Sequence, residues 1–183
     1  HSIHDIAVLR AVNNIDIVIP ADNFETKEVI KSAVNYNHPL FIRFGKKPML
    51  KMHNGNHNFI IGKGIKLKSG NDLAIISTGE TVQRAFKACE ILEKININST
   101  LISMHTIKPF DEDLFINSIT NSKGVITIEE HSISGGLGEK CASIMLENNI
   151  QLPFKMLGFP DEYMVNGSQK DVLDYYKMSP EKI

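Results

Sequence analysis

Glu129, Glu130 and His131 close an apolar, β-branched run that begins at Gly124, and Gly135-Gly136-Leu137-Gly138 follows a few residues later. A carboxylate beside an imidazole is the pairing that general acid–base catalysis uses. Neighbouring residues of a strand nevertheless face opposite sides of a sheet, so helix capping or a subunit contact is the stronger reading here. His105 precedes Thr106-Ile107-Lys108-Pro109-Phe110 and calls for the same restraint: the proline fixes a turn, and the histidine satisfies backbone groups. Arg43 to Lys47 is a cationic cluster directly after an apolar stretch, suited to a phosphate or a carboxylate. A solvated surface is an equal alternative. Ser77-Thr78-Gly79-Glu80 and the Gly135–Gly138 run each lead towards a helix, where free N–H groups can hold an anion. Turns that let a helix pack on a sheet are the commoner use of such glycines. His53 and His57 have helical metal-ligand spacing, but Asn54-Gly55-Asn56 between them are poor helix formers, and the pair reads as solvated linker. There is no G-x-S-x-G elbow, P-loop, H-E-x-x-H or Cys-x-x-Cys.

The elements that must position these residues alternate. Ser2 with Asp5 resembles a capping box opening a helix to about Val12. Asp16 to Ile19 reads as a strand. Asp22 with Glu25 caps a second helix whose inner face is Phe24, Val29, Ile30, Ala33 and Val34. Leu40 to Phe44 is the next strand, parallel to the first because a helix links them. Two parallel strands cannot be covered alone, so residues 1–45 are half a domain. Residues 46–69, with scattered Gly, Asn and His, read as a connecting arm holding a short strand at Asn58 to Ile61.

Beyond Gly70 the pattern is regular. Strands are expected at Asp72–Ser77, Ser99–Met104, Val125–Glu129 and Phe154–Gly158, with helices near 80–94, 111–120, 136–148 and 168–176. Ser168 with Asp171 caps the last of these, and Ser179-Pro180 starts another turn. The alternation implies a three-layer α/β/α domain over residues 70–183 with a mostly parallel sheet, preceded by a partial α/β domain.

Composition narrows the function classes. The 183 residues are 42% hydrophobic with a net charge of −1, enough for a core and without the basic field of a nucleic-acid binder. No apolar run approaches the ~18 residues of a membrane span. Cys89 and Cys141 both fall in expected helices and read as buried reduced thiols, which suits the cytoplasm. The first residue is His1 rather than Met, and further residues are expected ahead of it.

Taken in order, these stretches resemble the C-terminal portion of the thiamine-diphosphate-dependent transketolase family. The residues carrying the resemblance begin with His1-Ser2-Ile3-His4-Asp5-Ile6-Ala7-Val8-Leu9-Arg10, Ile19-Pro20-Ala21-Asp22 with Glu25, and Phe41-Ile42-Arg43. It continues through Ser77-Thr78-Gly79, His105-Thr106-Ile107-Lys108-Pro109, Glu129-Glu130-His131 with Gly-Gly-Leu-Gly, and Gly158, Asp161 and Gly167-Ser168. The resemblance implies the end of a pyrimidine-binding domain at 1–45 and a transketolase C-terminal domain at 70–183. It also implies a cofactor, thiamine diphosphate with Mg, held between domains of different subunits. The family's Gly-Asp-Gly…Asn metal motif and its pyrimidine-contacting glutamate have no counterpart here, so none is expected bound by this chain alone. The family's Thr-His pair would place the substrate-contacting histidine one position before His1, which makes His1 a neighbour of the site.

One substrate contact is implied. The family's sugar-phosphate arginine aligns with Lys46, three residues after Arg43; lysine keeps the charge but loses the bidentate fork. A non-phosphorylated or unusual acceptor therefore stays open. The implied activity is transfer of a two-carbon ketol unit between sugars, by this chain with an upstream half in the same or a separate polypeptide, as a homodimer or higher oligomer. No membrane or nucleic-acid partner is expected. Alternatives on the same architecture are deoxyxylulose-phosphate synthase and the thiamine-dependent component of 2-oxoacid dehydrogenases. A non-catalytic assembly or regulatory module is the alternative of a different class.

Overall fold

The computed structural model describes residues 2–46, 49–53 and 57–183; His1, Lys47 and Asn54 to Asn56, which figure in the sequence reading, lie outside the described residues. The elements in chain order are α1 (Asp5–Ala11), β1 (Asp16–Val18), α2 (Asn23–Ala33), β2 (Leu40–Ile42), β3 (Ile65–Lys68), β4 (Leu73–Ser77), α3 (Thr81–Glu93), β5 (Ser99–Ser103), β6 (Thr106–Lys108), α4 (Glu112–Ile119), β7 (Val125–Ser132), α5 (Leu137–Glu147), β8 (Phe154–Phe159) and α6 (Gln169–Tyr175).

The larger sheet has the order β3-β5-β4-β7-β8, parallel throughout except for β3, which runs antiparallel to β5. Alternation along β4 sorts the layers. Ala74 and Ile76 point into a core with Phe115 and Ile119 of α4 and Leu137, Cys141 and Ile144 of α5. Ile75 points the other way, to Ala85 and Cys89 of α3 and Leu173 of α6. The result is the expected three-layer α/β/α arrangement with a mostly parallel sheet. Both cysteines are free and buried, and burial pushes the Cys89 thiol up to about 12.

The smaller sheet has the order β2-β1-β6. Strand β1 is parallel to β2, as expected, and antiparallel to β6. That third strand is Thr106–Lys108, a segment the sequence reading treats only as a turn. A three-residue strand is too short to show alternation, and it forms because β1 presents an open edge. The residues after β5 thus close one side of the amino-terminal sheet, and β2 is an edge among the described residues.

Three local expectations are corrected. Ser2 and Asp5 do not form a capping box: α1 is preceded by His4 without a side-chain cap, and the Ala7 N–H is instead accepted by His131 Nε2 at 3.3 Å. Asn58 to Ile61 is not a strand; the strand of that stretch is β3, where Ile65 and Leu67 alternate with Lys66 and Lys68, a lysine-guarded edge. Ile30 and Val34 are not on the inner face of α2 but exposed, whereas Phe24 and Val29 pack inward. Asp22 does cap α2, accepting from the amides of Phe24 and Glu25. Ser168 caps α6 as read from the sequence.

Candidate functional site: the cationic loop and its cleft

Strand β2 ends at Ile42, and the amide of Arg43 extends its ladder by donating to Val18 O at 3.0 Å. The Arg43 side chain then turns inward. Its guanidinium donates to the carbonyls of Ser2 at 3.1 Å and Glu130 at 3.0 Å, and meets Asp5 Oδ1 at 3.4 Å. The planar fork fastens the start of the chain to the end of β7. Phe44, Gly45 and Lys46 follow without regular structure and are exposed. The Lys46 amide donates to Glu80 Oε1 at 2.8 Å.

Arg43 and Lys46, the two substrate-binding candidates, line one cleft of about 770 Å3 with Glu80, Glu130, Ser168 and Gln169. The opposite wall is apolar and includes Phe159, Met164 and Leu173. The cleft lies between the loop after β2 and the segment leading into α6. Gln169 Nε2 donates to Glu130 Oε1 at 2.8 Å and also to Glu80 Oε2. Burial raises the Glu130 carboxyl, against the hydrogen bond from Gln169.

The Glu129-Glu130-His131 triplet divides as strand alternation requires. Glu130 faces the cleft. Glu129 and His131 face the other side of β7, and each serves a helix end. The Glu129 carboxylate accepts from the amides of Leu137 at 2.7 Å and Gly138 at 2.9 Å, capping α5 from a neighbouring strand. Burial pushes its carboxyl up to about 7, opposed by those amides. His131 Nδ1 donates to Ser132 O at 2.7 Å while Nε2 accepts from Ala7. Burial lowers its pKa, so the neutral ring with the proton on Nδ1 meets both contacts. Glu129 Oε2 is 3.7 Å from His131 Nδ1, but both groups are committed to backbone partners, and the capping reading holds. Arg10 Nη1 completes the turn by donating to the carbonyls of Gly135 at 2.5 Å and Gly136 at 2.7 Å.

His105 is buried, stacked on Phe59 at 4.3 Å, with Nδ1 3.0 Å from Thr106 Oγ1. Its side chain does not satisfy backbone groups as expected; its carbonyl does, accepting from Ile19 at 2.7 Å. The Ser77–Glu80 turn is a packing device: Gly79 has φ +56°, and a Cβ there would lie 2.6 Å from Ile19 Cγ2.

His53 overturns the solvated-linker reading. Its side chain is 1% exposed, with Nδ1 2.8 Å from Asp22 Oδ2 and Nε2 3.2 Å from Glu25 Oε1. Asp22 Oδ2 also accepts from the Met52 amide at 3.1 Å, and Glu25 accepts from Ser103 Oγ and the Ala21 amide, each at 2.6 Å. Burial lowers the His53 pKa, but the hydrogen bonds to Asp22 and Glu25 outweigh it and raise the ring to about 9. Burial likewise raises Asp22, and the His53 bond with the Glu25 and Met52 amides brings it down to about 2. Among the described residues, no group of three or more His, Cys, Asp or Glu is arranged to hold a metal ion.

Sequence reasoning missed Glu80, Gln169 and His53 as partners. The only signal for the first was its place in the turn after β4, read there as a packing turn with anion binding as the lesser alternative. Nothing in the sequence marks Gln169.

Comparison with known proteins agrees with this architecture. Residues 62–183 match the family model of the transketolase C-terminal domain, and residues 1–50 that of the transketolase pyrimidine binding domain. An apulose-4-phosphate transketolase subunit of Phocaeicola vulgatus is 35% identical over 184 residues, covering 100% of this chain and 58% of that protein. A putative transketolase C-terminal section of Methanocaldococcus jannaschii is 36% identical over 182 residues, covering 98% and 56% respectively. Among solved structures, one described as "Split gene transketolase, inactive beta4 tetramer" superposes with a TM-score of 0.92 at 28% identity, over 100% of this chain and 59% of its own. This chain thus spans under two thirds of the length of these relatives. The chain belongs to the transketolase family.

Proposed function

We propose that this chain is the C-terminal portion of a transketolase-like enzyme that moves a two-carbon ketol unit between sugars, and that it works together with an upstream half. The observation that carries the reading is a likeness to a split-gene transketolase over the whole chain, at a TM-score of 0.92. Family membership implies dependence on thiamine diphosphate, which supplies a carbanion-stabilising centre when bound. Among the described residues, no three His, Cys, Asp or Glu side chains converge on a metal-sized site. The buried carboxylates Glu25 and Glu129 are already taken up by Ser103, Ala21 and the start of α5. On the family likeness, we assign the cofactor to a site completed by the upstream half, and give this chain the acceptor end.

Arg43 and Lys46 have different parts in this reading. Arg43 is held by three partners within the chain and builds the cleft wall. Lys46 carries an exposed ammonium at the cleft mouth and is the substrate-facing cation. A lone ammonium is a point charge without the fork of arginine, which admits plain as well as phosphorylated acceptors.

The test is a ketol-transfer assay with thiamine diphosphate and magnesium, on this chain alone and mixed with its upstream half. Turnover is expected only for the mixture. Turnover by the chain alone, or a correctly assembled mixture that transfers nothing, overturns the reading; condensation of pyruvate with a triose phosphate would move it to a deoxyxylulose-phosphate synthase.

A further inference from the structure

We propose that Glu80 is a positioning residue that aims Lys46 into the cleft, making the C-terminal domain part of the substrate-binding apparatus; this rests on the reading of Lys46 just given. Lysine has four rotatable side-chain bonds and here sits on a loop without regular structure, so its charge is directed only if its backbone is held. Glu80 holds it: Oε1 accepts the Lys46 amide at 2.8 Å. The residue before it is cut to fit. A Cβ on Gly45 would lie 2.2 Å from Glu80 Oε1 and 2.7 Å from its Cγ, so only glycine lets the carboxylate reach the next amide.

The carboxylate is itself held from behind. Its second oxygen accepts from Gln169 Nε2, and the same nitrogen donates to Glu130 Oε1 at 2.8 Å. Both amide hydrogens are thereby used, and a continuous chain of hydrogen bonds runs from the Lys46 backbone through Glu80 and Gln169 to Glu130. It crosses the start of α3, the first residue of α6 and the end of β7. Glu80 makes no side-chain cap to α3, the helix it precedes, and its two oxygens serve the loop and Gln169 instead. Arg43 is fixed by Asp5 and by the carbonyls of Ser2 and Glu130, with no bond to Glu80. The Glu80 carboxylate therefore holds the Lys46 backbone directly and leaves the Arg43 fork in place.

The decisive experiment compares Glu80→Ala, Glu80→Gln, Lys46→Gln and the Glu80→Ala/Lys46→Gln pair in the complete assembly, with a phosphorylated and a plain acceptor sugar. Glu80→Ala is expected to raise KM for the phosphorylated acceptor about tenfold while kcat stays within about twofold, and to leave the plain acceptor nearly unchanged. Glu80→Gln keeps an oxygen for the Lys46 amide and should recover most of the loss. On the Lys46→Gln background, adding Glu80→Ala should change KM by less than about twofold, because the two act as one unit. Multiplying effects, or equal losses with both sugars, overturn the proposal.

Amide hydrogen exchange on the 183-residue chain supplies a readout without turnover. Exchange at Lys46 should accelerate about tenfold or more in Glu80→Ala, and an unchanged rate overturns the proposal whatever the assay gives. If that rate rises while Lys46→Gln leaves KM untouched, the clamp stands and the substrate role of Lys46 falls. Should Glu80→Ala fail to fold, Gln169→Ala removes only the outer support; a rise in Lys46 exchange supports the clamp, and none overturns it.

Discussion

His53 is clasped by two carboxylates in a site almost without solvent, and removing one partner of such a buried group leaves the rest uncompensated. His53→Gln should cost about 3 kcal/mol at neutral pH, by analogy with other broken buried pairs, measured by urea unfolding against the unaltered chain. The pH dependence has a definite sign. The His53 pKa is raised from 6.5 to about 9, so its contribution is complete below 6.5 and is lost as pH rises through 9. The Asp22 pKa is lowered from 3.8 to about 2, so its contribution is complete above 3.8 and is lost as pH falls through 2. The gap between the two proteins should therefore be widest from about pH 4 to 6.5, shrink as pH rises from there through about 9, and stay small above it. A gap as wide at about pH 10 as at about pH 6 would contradict the ion-pair account. At this scale the sequence is a partial guide. Asp22 is legible as a cap because capping is decided within four residues. His53 is illegible because its partners lie 31 and 28 positions back, and a run of Asn and Gly around it looks solvated.

Two helix starts in this fold are served from across the molecule, whereas Asp22 and Ser168 cap α2 and α6 along the chain. Glu129 of β7 caps α5, and His131 of the same strand serves α1. The glycine at the start of α5 makes this possible: a Cβ on Gly136 would lie 1.9 Å from Glu129 Oε2. Gly136→Ala should displace that carboxylate from the Leu137 and Gly138 amides and cost about 2 kcal/mol, the upper range of a lost cap. Thermal unfolding would show it as a melting-temperature drop of roughly 4–8 °C, at a few degrees per kcal/mol for a chain of this size. Gly167→Ala, where the nearest atom to the new Cβ is 3.4 Å away, should melt almost as the unaltered chain does; equal losses at both positions would refute the cap. Elements with their own periodicity or caps were readable: α2, α6, β4, β5 and β8 fall within a few residues of expectation. Strands β3 and β6 were not. Each is short, and each exists because another strand offers an unpaired edge, which is a property of the assembled sheet.

Over the whole molecule, apolar side chains left facing water argue for association. Val8 and Val12 share a face at and just beyond α1, and Ile30 and Val34, 50% and 78% exposed, form an i, i+4 pair at and just beyond α2. Both belong to the amino-terminal layer, whose strand β2 is, among the described residues, paired on one side alone. We propose that a second copy of this chain covers this surface, giving a dimer or larger assembly. Light scattering at tens of micromolar should report more than one chain per particle, and Val34→Glu with Ile30→Lys should weaken the association by at least about tenfold. A monomer under those conditions, or an assembly indifferent to the charges, removes the argument.

From the sequence came the layered α/β architecture and the cationic turn at Arg43 to Lys46, both of which depend on local periodicity, caps and order along the chain. Tertiary structure alone decided how the pieces work: that Arg43 is a strut and Lys46 an exposed cation, that Glu129 and His131 hold helices, and that Glu80 reaches a loop 34 residues before it. The reason is physical. A side chain's role follows from which donors and acceptors surround it once water is excluded, and those neighbours arrive from distant positions only when the sheets close.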